Sequence, residues 1–241
     1  FVDRLTAEVE QRGGQVLLNC PAEQIQQAAD SRLNVTSPQG VMTFDKVLHT
    51  TSPALLGSLA PELPDDYLAG LSTLKHMGAV VLTLALKRPL FTDNTYWINL
   101  PADTPDKLNA DIPFIGLFEH TNYVDAKHYG GDHILYCGDY IVPDHPYLTM
   151  EKDEIEAIFI RALTLFNPDF KPDWIRKSWL HRAPYAQPVP LVDHSQHVPD
   201  LQTPIPNLHM ASMSQVYPWD RGTNFAVEIG RRVAKMIMAT A

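Results

Sequence analysis

The chain is poor in cysteine. Cys20 and Cys137 are the two in 241 residues, too few for a disulfide framework. A reducing, cytoplasmic setting is expected, with each thiol serving as a small buried apolar group rather than a nucleophile. No apolar run approaches the ~20 residues that a membrane helix needs. No signal peptide is visible either, because FVDRLTAEVEQRGG opens as a charged amphipathic helix. There is no Lys/Arg-rich run, and a formal charge of −9 argues against a nucleic-acid surface. G-x-S-x-G, a Walker loop and paired cysteines are missing, so acyl transfer, phosphoryl transfer and zinc chemistry have no support. The dinucleotide fingerprint G-x-G-x-x-G is missing too. The adjacent glycines are Gly13-Gly14 and Gly130-Gly131, and neither continues the pattern. No internal repeat or low-complexity segment occurs.

What is present reads as an ordinary globular protein, 45% apolar and 20% charged. Its length suits one large domain or two small ones. Val2, Leu5 and Val9 fall on one side of a helix that Gly13-Gly14 stops. QVLLNC (15–20) has the composition of a buried strand, and EQIQQAAD (23–30), RLNVTS (32–37) and GVMTF (40–44) read as short strands. KVLHTTSP (46–53) is a further strand, after which Pro53 opens a helix and Asp65 to Leu74 forms another. The character changes at His76. GAVVLTLALKRPL, TYWINL, FIGLFEHTN and HILYCGDYIV are strands separated by Pro- and Asp-rich loops. EKDEIEAIFIRALTLF is a helix with Ile155, Ile158, Phe159, Ala162, Leu163 and Phe166 on one face and acids in its first turn. DWIRKSWLHRAP is a strand that ends at the proline-rich PYAQPVPLVDHS. Such a meander with one covering helix predicts an antiparallel α+β unit over residues 60–205. NLHMASM (207–213) and the last helix then resume the α/β character of the first part.

VYPWDRGTNFAVEIGRRVA places an over-specified entrance before that last helix. A helix N-terminus presents unpaired N–H groups and partial positive charge, and so favours an anion in front of it. Gly222 permits close backbone approach, and Thr223, Asn224 or Asp220 can cap the helix. The plain alternative is a turn and cap before a surface helix. Glu119 and His120 end a strand with polar groups suited to a base or to hydrogen bonding of a substrate, which is also how an ordinary loop begins. Cys137 to Tyr140 (CGDY) is a weaker candidate. Ten histidines invite a metal site, but His194 and His197 lie in a proline-rich loop with no further ligand at a known spacing. These two, with His128 and His133, are read as solvated or core histidines, and no metal is expected.

RGGQVLLNCPAEQI, KVLHTTSPALLGSLAPELP, GAVVLTLALKRPL and NLHMASMSQVYPWDRGTNFAVEIGRRVA, in that order, resemble the C-terminal part of an FAD-dependent oxidoreductase. The family is the amine oxidase, protoporphyrinogen oxidase and phytoene desaturase group, to which UDP-galactopyranose mutase is related. The resemblance follows element order over nearly the whole chain and is specific over 11–59 and 206–235. It implies an antiparallel-sheet substrate domain with a covering helix, residues 60–205. That domain is inserted into the incomplete rear part of an FAD-binding Rossmann-like domain, residues 1–59 and 206–241. The start inside a helix, without methionine, then reads as an excised piece lacking the N-terminal βαβ unit.

The resemblance also implies site residues. Ser212, Tyr217, Pro218, Asp220, Arg221, Gly222, Thr223 and Asn224 would face FAD. His120, Arg182, Tyr185 and Gln187 would line the substrate side, Arg182 by its planar fork, although a rigid proline crossover explains that segment equally. The family's Ala-Gly-Asp-like strand end is here Ala211-Ser212-Met213, so the acid's contact falls to Ser212, Ser214 or the main chain. No acid or base is required, and catalytic residues stay unassigned. The implied function is oxidation of a small organic substrate by hydride transfer to flavin N5. FAD is expected in the full-length protein and absent from this fragment, which alone would be inactive. Two alternatives stay open: a flavin-dependent isomerase or mutase without net redox, and a ligand-binding module without flavin.

Overall fold

The computed structural model describes residues 1–101, 104, 107–220 and 222–239. The first helix, α1 (Val2–Gln11), ends where Gly13 takes φ +85°, a conformation that costs any residue with a Cβ. The strand expected over 15–20 does not form. Val16, Leu17 and Leu18 are exposed and outside any ladder of the described residues. Apolar composition favours burial, but a strand also needs a neighbour for its N–H and C=O groups. The next three strands follow the sequence reading: β1 (Gln24–Gln27), β2 (Leu33–Ser37) and β3 (Gly40–Phe44) form an antiparallel meander. After β4 (Val47–His49) come α2 (Pro53–Leu59) and α3 (Asp65–Thr73). Ser52 caps α2 by accepting from Leu55 N at 3.3 Å, with Pro53 in the first turn, where a missing N–H costs nothing.

The long strand β5 (Lys75–Leu86) starts a five-stranded antiparallel sheet. It is completed by β6 (Trp97–Asn99), β7 (Gly116–Glu119), β8 (His133–Ile141) and β9 (Ile175–Val189), in the spatial order β6-β7-β8-β5-β9. Alternation puts Val80, Leu82, Leu84, Leu117, Leu135 and Cys137 on one face. That face packs on α4 (Lys152–Ala162), where Ile155, Phe159 and Ala162 are buried, as is Leu163 just beyond it. Phe114 and Tyr147 meet Phe159 edge-on at centroid distances of 5.2 and 5.3 Å. Burial pushes the Cys137 thiol far above its ordinary range, which makes it an inert core group.

β9 runs through the prolines that the sequence suggests as its end. It lies at an edge of the sheet, where a missing donor is tolerated. Its register against β5 shifts between Met77 and Ala79. There a Cβ on Gly78 would lie 3.1 Å from Ala183 O and 3.3 Å from Pro184 O, so the irregular pairing leaves little room for a side chain.

The chain then returns through β10 (Leu208–Met210), parallel to β4, and ends in α5 (Thr223–Ala239). Two units result: Lys75–Val189, and Phe1–Leu74 together with Pro190–Ala241. Residues 60–74 and 190–205 belong to the latter. Its core joins Ile25 and Leu33 to Leu56, Leu208 and Met210, while Ile229 and Val233 of α5 pack with Ala211. Lys46 Nζ donates to Ile237 O at 2.8 Å near the end of α5, where a cation suits the exposed carbonyls. No described helix is long and apolar enough to cross a membrane.

Candidate functional site

In the unit of Phe1–Leu74 and Pro190–Ala241, β4 and β10 pair in parallel, Val47 to Leu208 and His49 to Met210. Ligands of such sheets characteristically sit beyond the carboxyl ends of the strands. The residues there are small and polar: Thr50, Thr51 and Ser52 after β4, and Ala211 and Ser212 after β10. His49 is buried, its Nε2 3.1 Å from Ser52 O and 2.9 Å from Thr51 Oγ1. Burial lowers its pKa from the ordinary histidine value, with the hydrogen bond to Ser52 O acting the other way. Ser212 is buried, its N–H donating to Gln215 Oε1 at 2.7 Å. Met213 opens a short 3₁₀ turn (Met213–Gln215).

The chain then reaches the entrance of α5. The Tyr217-Pro218 peptide is cis. Tyr217 and Trp219 are exposed; Tyr217 packs on His194 at a centroid distance of 5.4 Å, and Trp219 stacks on Phe225 at 6.1 Å. α5 takes up its first i→i−4 bond from Ala226 N to Gly222 O, 3.0 Å, so the N–H groups before Ala226 have no acceptor within the helix. A Cβ on Gly222 would lie 2.6 Å from Asn224 Oδ1, which the bare backbone avoids. Thr223 and Asn224 are exposed in the first turn, with Asp220 just ahead. Arg221 lies outside the described residues. Ser212, Tyr217, Pro218, Asp220, Gly222, Thr223 and Asn224 therefore share one short path from β10 to α5.

In the unit Lys75–Val189 the second face of the sheet is open. Register puts Ala79, Val81, Trp97, Asn99, Gly116, Phe118, Tyr136, Gly138 and Tyr140 on it. His120, in the 3₁₀ turn after β7, holds Tyr129 Oη at 2.7 Å and packs edge-on against Tyr136, 5.8 Å between centroids. Tyr185 packs on His76 at 4.8 Å, and Gln187, opposite Met77, donates to Pro188 O at 3.0 Å. Arg182 is not with them. It pairs with Val80 on the α4 side, and its guanidinium donates to Met150 O.

Glu119 is fully buried and accepts from Leu90 N at 2.9 Å and Phe91 N at 2.7 Å. It pins a turn, although burial raises its pKa. The sequence reading passes over Gly116 and includes Gly138 only within the weaker candidate CGDY; the two glycines face each other across β7 and β8. Their signal was a glycine inside each strand, a mark of close approach or bulging. His194 is buried beside Tyr217, and no cluster of three metal-ligating side chains occurs among the described residues.

This mixed α/β architecture with antiparallel sheets is shared by several solved structures. A protein assigned as a protoporphyrinogen oxidase from Exiguobacterium sp. 255-15 superposes with TM-score 0.75 at 12% identity, over 99% of this chain and 51% of its own. An oxidoreductase from Methanosarcina mazei gives 0.63 at 16%, over 88% and 47%. A reduced UDP-galactopyranose mutase gives 0.56 at 17%, over 74% and 36%. The chain thus spans about half the length of the first of these, or less. The particular identification comes from sequence: the chain belongs to the flavin containing amine oxidoreductase family, whose profile matches residues 1–238. No curated protein matches it.

Proposed function

We propose that the whole protein is an FAD-dependent oxidoreductase that oxidises a small organic molecule. Family membership over residues 1–238 carries this reading. The entrance of α5 supports it, because its groups suit a flavin: the N–H groups of a helix's first turn, Gly222 without a side chain and a buried Ser212. The bound flavin would supply the redox chemistry by accepting a hydride equivalent at N5. The first turn of α5, from Gly222 to Asn224, would stabilise negative charge on the cofactor's edge, and exposed Tyr217 would cover it. Ser212 and nearby main-chain groups would take the contact that Met213 cannot make. Arg221 and Asp220 would flank the cofactor, Pro218 shaping the loop. In the other unit, His120, Tyr185 and Gln187 would contact the substrate. Residues 1–241 alone, without a G-x-G-x-x-G segment, would bind FAD weakly.

An absorbance spectrum of the complete protein tests the reading. Flavin bands that bleach anaerobically with a substrate and return with an acceptor are expected. A colourless protein would overturn it in favour of a binding module. Isomerised product formed without acceptor consumption would overturn it in favour of a mutase.

A further inference from the structure

The open face of the five-stranded sheet holds a trough of about 240 Å³ within the unit Lys75–Val189. Its bare floor is the main chain at Gly138, which pairs with Gly116 across β7 and β8. Phe118 leans across Gly116 so closely that a Cβ there would meet its ring at 2.6 Å. A Cβ on Gly138 would have ordinary contacts, 3.7 Å to Val81 and 4.0 Å to Phe118. Gly138 is therefore not demanded by packing, and its bareness leaves the trough deep.

Trp97 forms a wall, half-exposed, with its ring 4.8 Å from that of Phe118. Its indole N–H is spent on Asn99 Oδ1 at 2.8 Å, so the wall offers a ring and little polarity. Ala79 and Val81 complete the apolar lining. Asp139 borders the trough, but register turns its carboxylate to the α4 side, where it meets Lys107 Nζ at 2.5 Å. Among the described residues, no side chain lining the trough on this face carries a charge.

We infer that the trough is a specificity subsite for a flat, neutral, apolar group of one or two fused rings, its depth set by Gly138. A flat group lies on a glycine floor with full contact and stacks on Trp97, while a charged one would lose its hydration without gaining a partner. The inference rests on the oxidoreductase reading only in calling the bound group part of a substrate.

Equilibrium dialysis of the complete protein with 2-naphthol and with 2-naphthoate tests this without turnover. The neutral probe is expected to bind at least about tenfold more tightly than the anion. Gly138→Ala should weaken 2-naphthol about threefold, and Gly138→Leu should abolish its binding. If Gly138→Leu does not fold, Trp97→Ala, altered at an exposed ring, should cut binding about tenfold. Equal binding of the two probes, or 2-naphthol binding unchanged by these substitutions, overturns the subsite. A colourless protein that binds 2-naphthol and loses it with Gly138→Leu overturns the flavin reading and supports the trough. A yellow, active protein whose Gly138→Leu variant binds 2-naphthol like its parent overturns the trough alone.

Discussion

Asp139 and Glu119 are carboxylates on the helix-covered side of the same sheet, and each is paid for differently. Glu119 receives two backbone N–H groups and Asn122 Nδ2, so it works as a tether for the 90–91 turn. Asp139 has Lys107, yet burial outweighs that partner and raises its pKa to about 6. The folded state therefore holds this proton more tightly than the unfolded chain does. Stability from Asp139 is full below the ordinary carboxylate range and is lost as pH rises through about 6. Asp139→Asn should flatten that slope, changing the pH dependence by roughly 1–3 kcal/mol between about pH 4 and 7. Urea midpoints across that range measure it, and an unchanged slope would show that the carboxylate is ionised throughout. Neither burial was legible in EHTN or CGDY. Polarity at a strand end suggests a loop, and only the packing of α4 shows which alternate residues lie beneath it.

Whole helices and most strands were legible, because their signals are local. α4 follows its apolar face, α2 its serine cap and proline, and α1 its glycine stop. The strand over 15–20 failed because composition cannot supply a partner. β9 outran its expected end because Pro184 and Pro188 occupy an edge, a place in the sheet that no segment announces by itself. Gly78 is the hinge of that irregular pairing. Gly78→Ala should push its Cβ against the Ala183 and Pro184 carbonyls and destabilise the protein by about 1–3 kcal/mol. A urea melt checks this, and a parent-like midpoint would mean that β9 shifts freely.

At the scale of the molecule, Lys75 and Val189 are register partners, so the unit between them enters and leaves the rest of the chain at one spot. Its core, from Val80 to Trp174, is built from its own residues. Residues 75–189 produced alone should therefore fold with a cooperative urea transition and retain β-sheet by far-UV circular dichroism. A broad, non-cooperative melt would show that the remainder of the chain is required. The sequence shows a change of character at His76, but the bounds drawn from it, 60 and 205, take in residues that pack with the rest of the chain. The return at Pro190 was hidden in a proline-rich run that reads equally as strand or crossover.

The sequence by itself determined what neighbours along the chain can enforce: helix stops and caps, the alternation of β5 and β8, and the glycine-led entrance to α5. It also carried the family, through the order of these elements. Only the tertiary structure decided which face of the sheet lies under α4 and which stays open. It turned Arg182 and Asp139 to one side and set Gly116 beside Gly138 on the other. Register belongs to two segments at once, and shifting either by one residue would exchange the two faces.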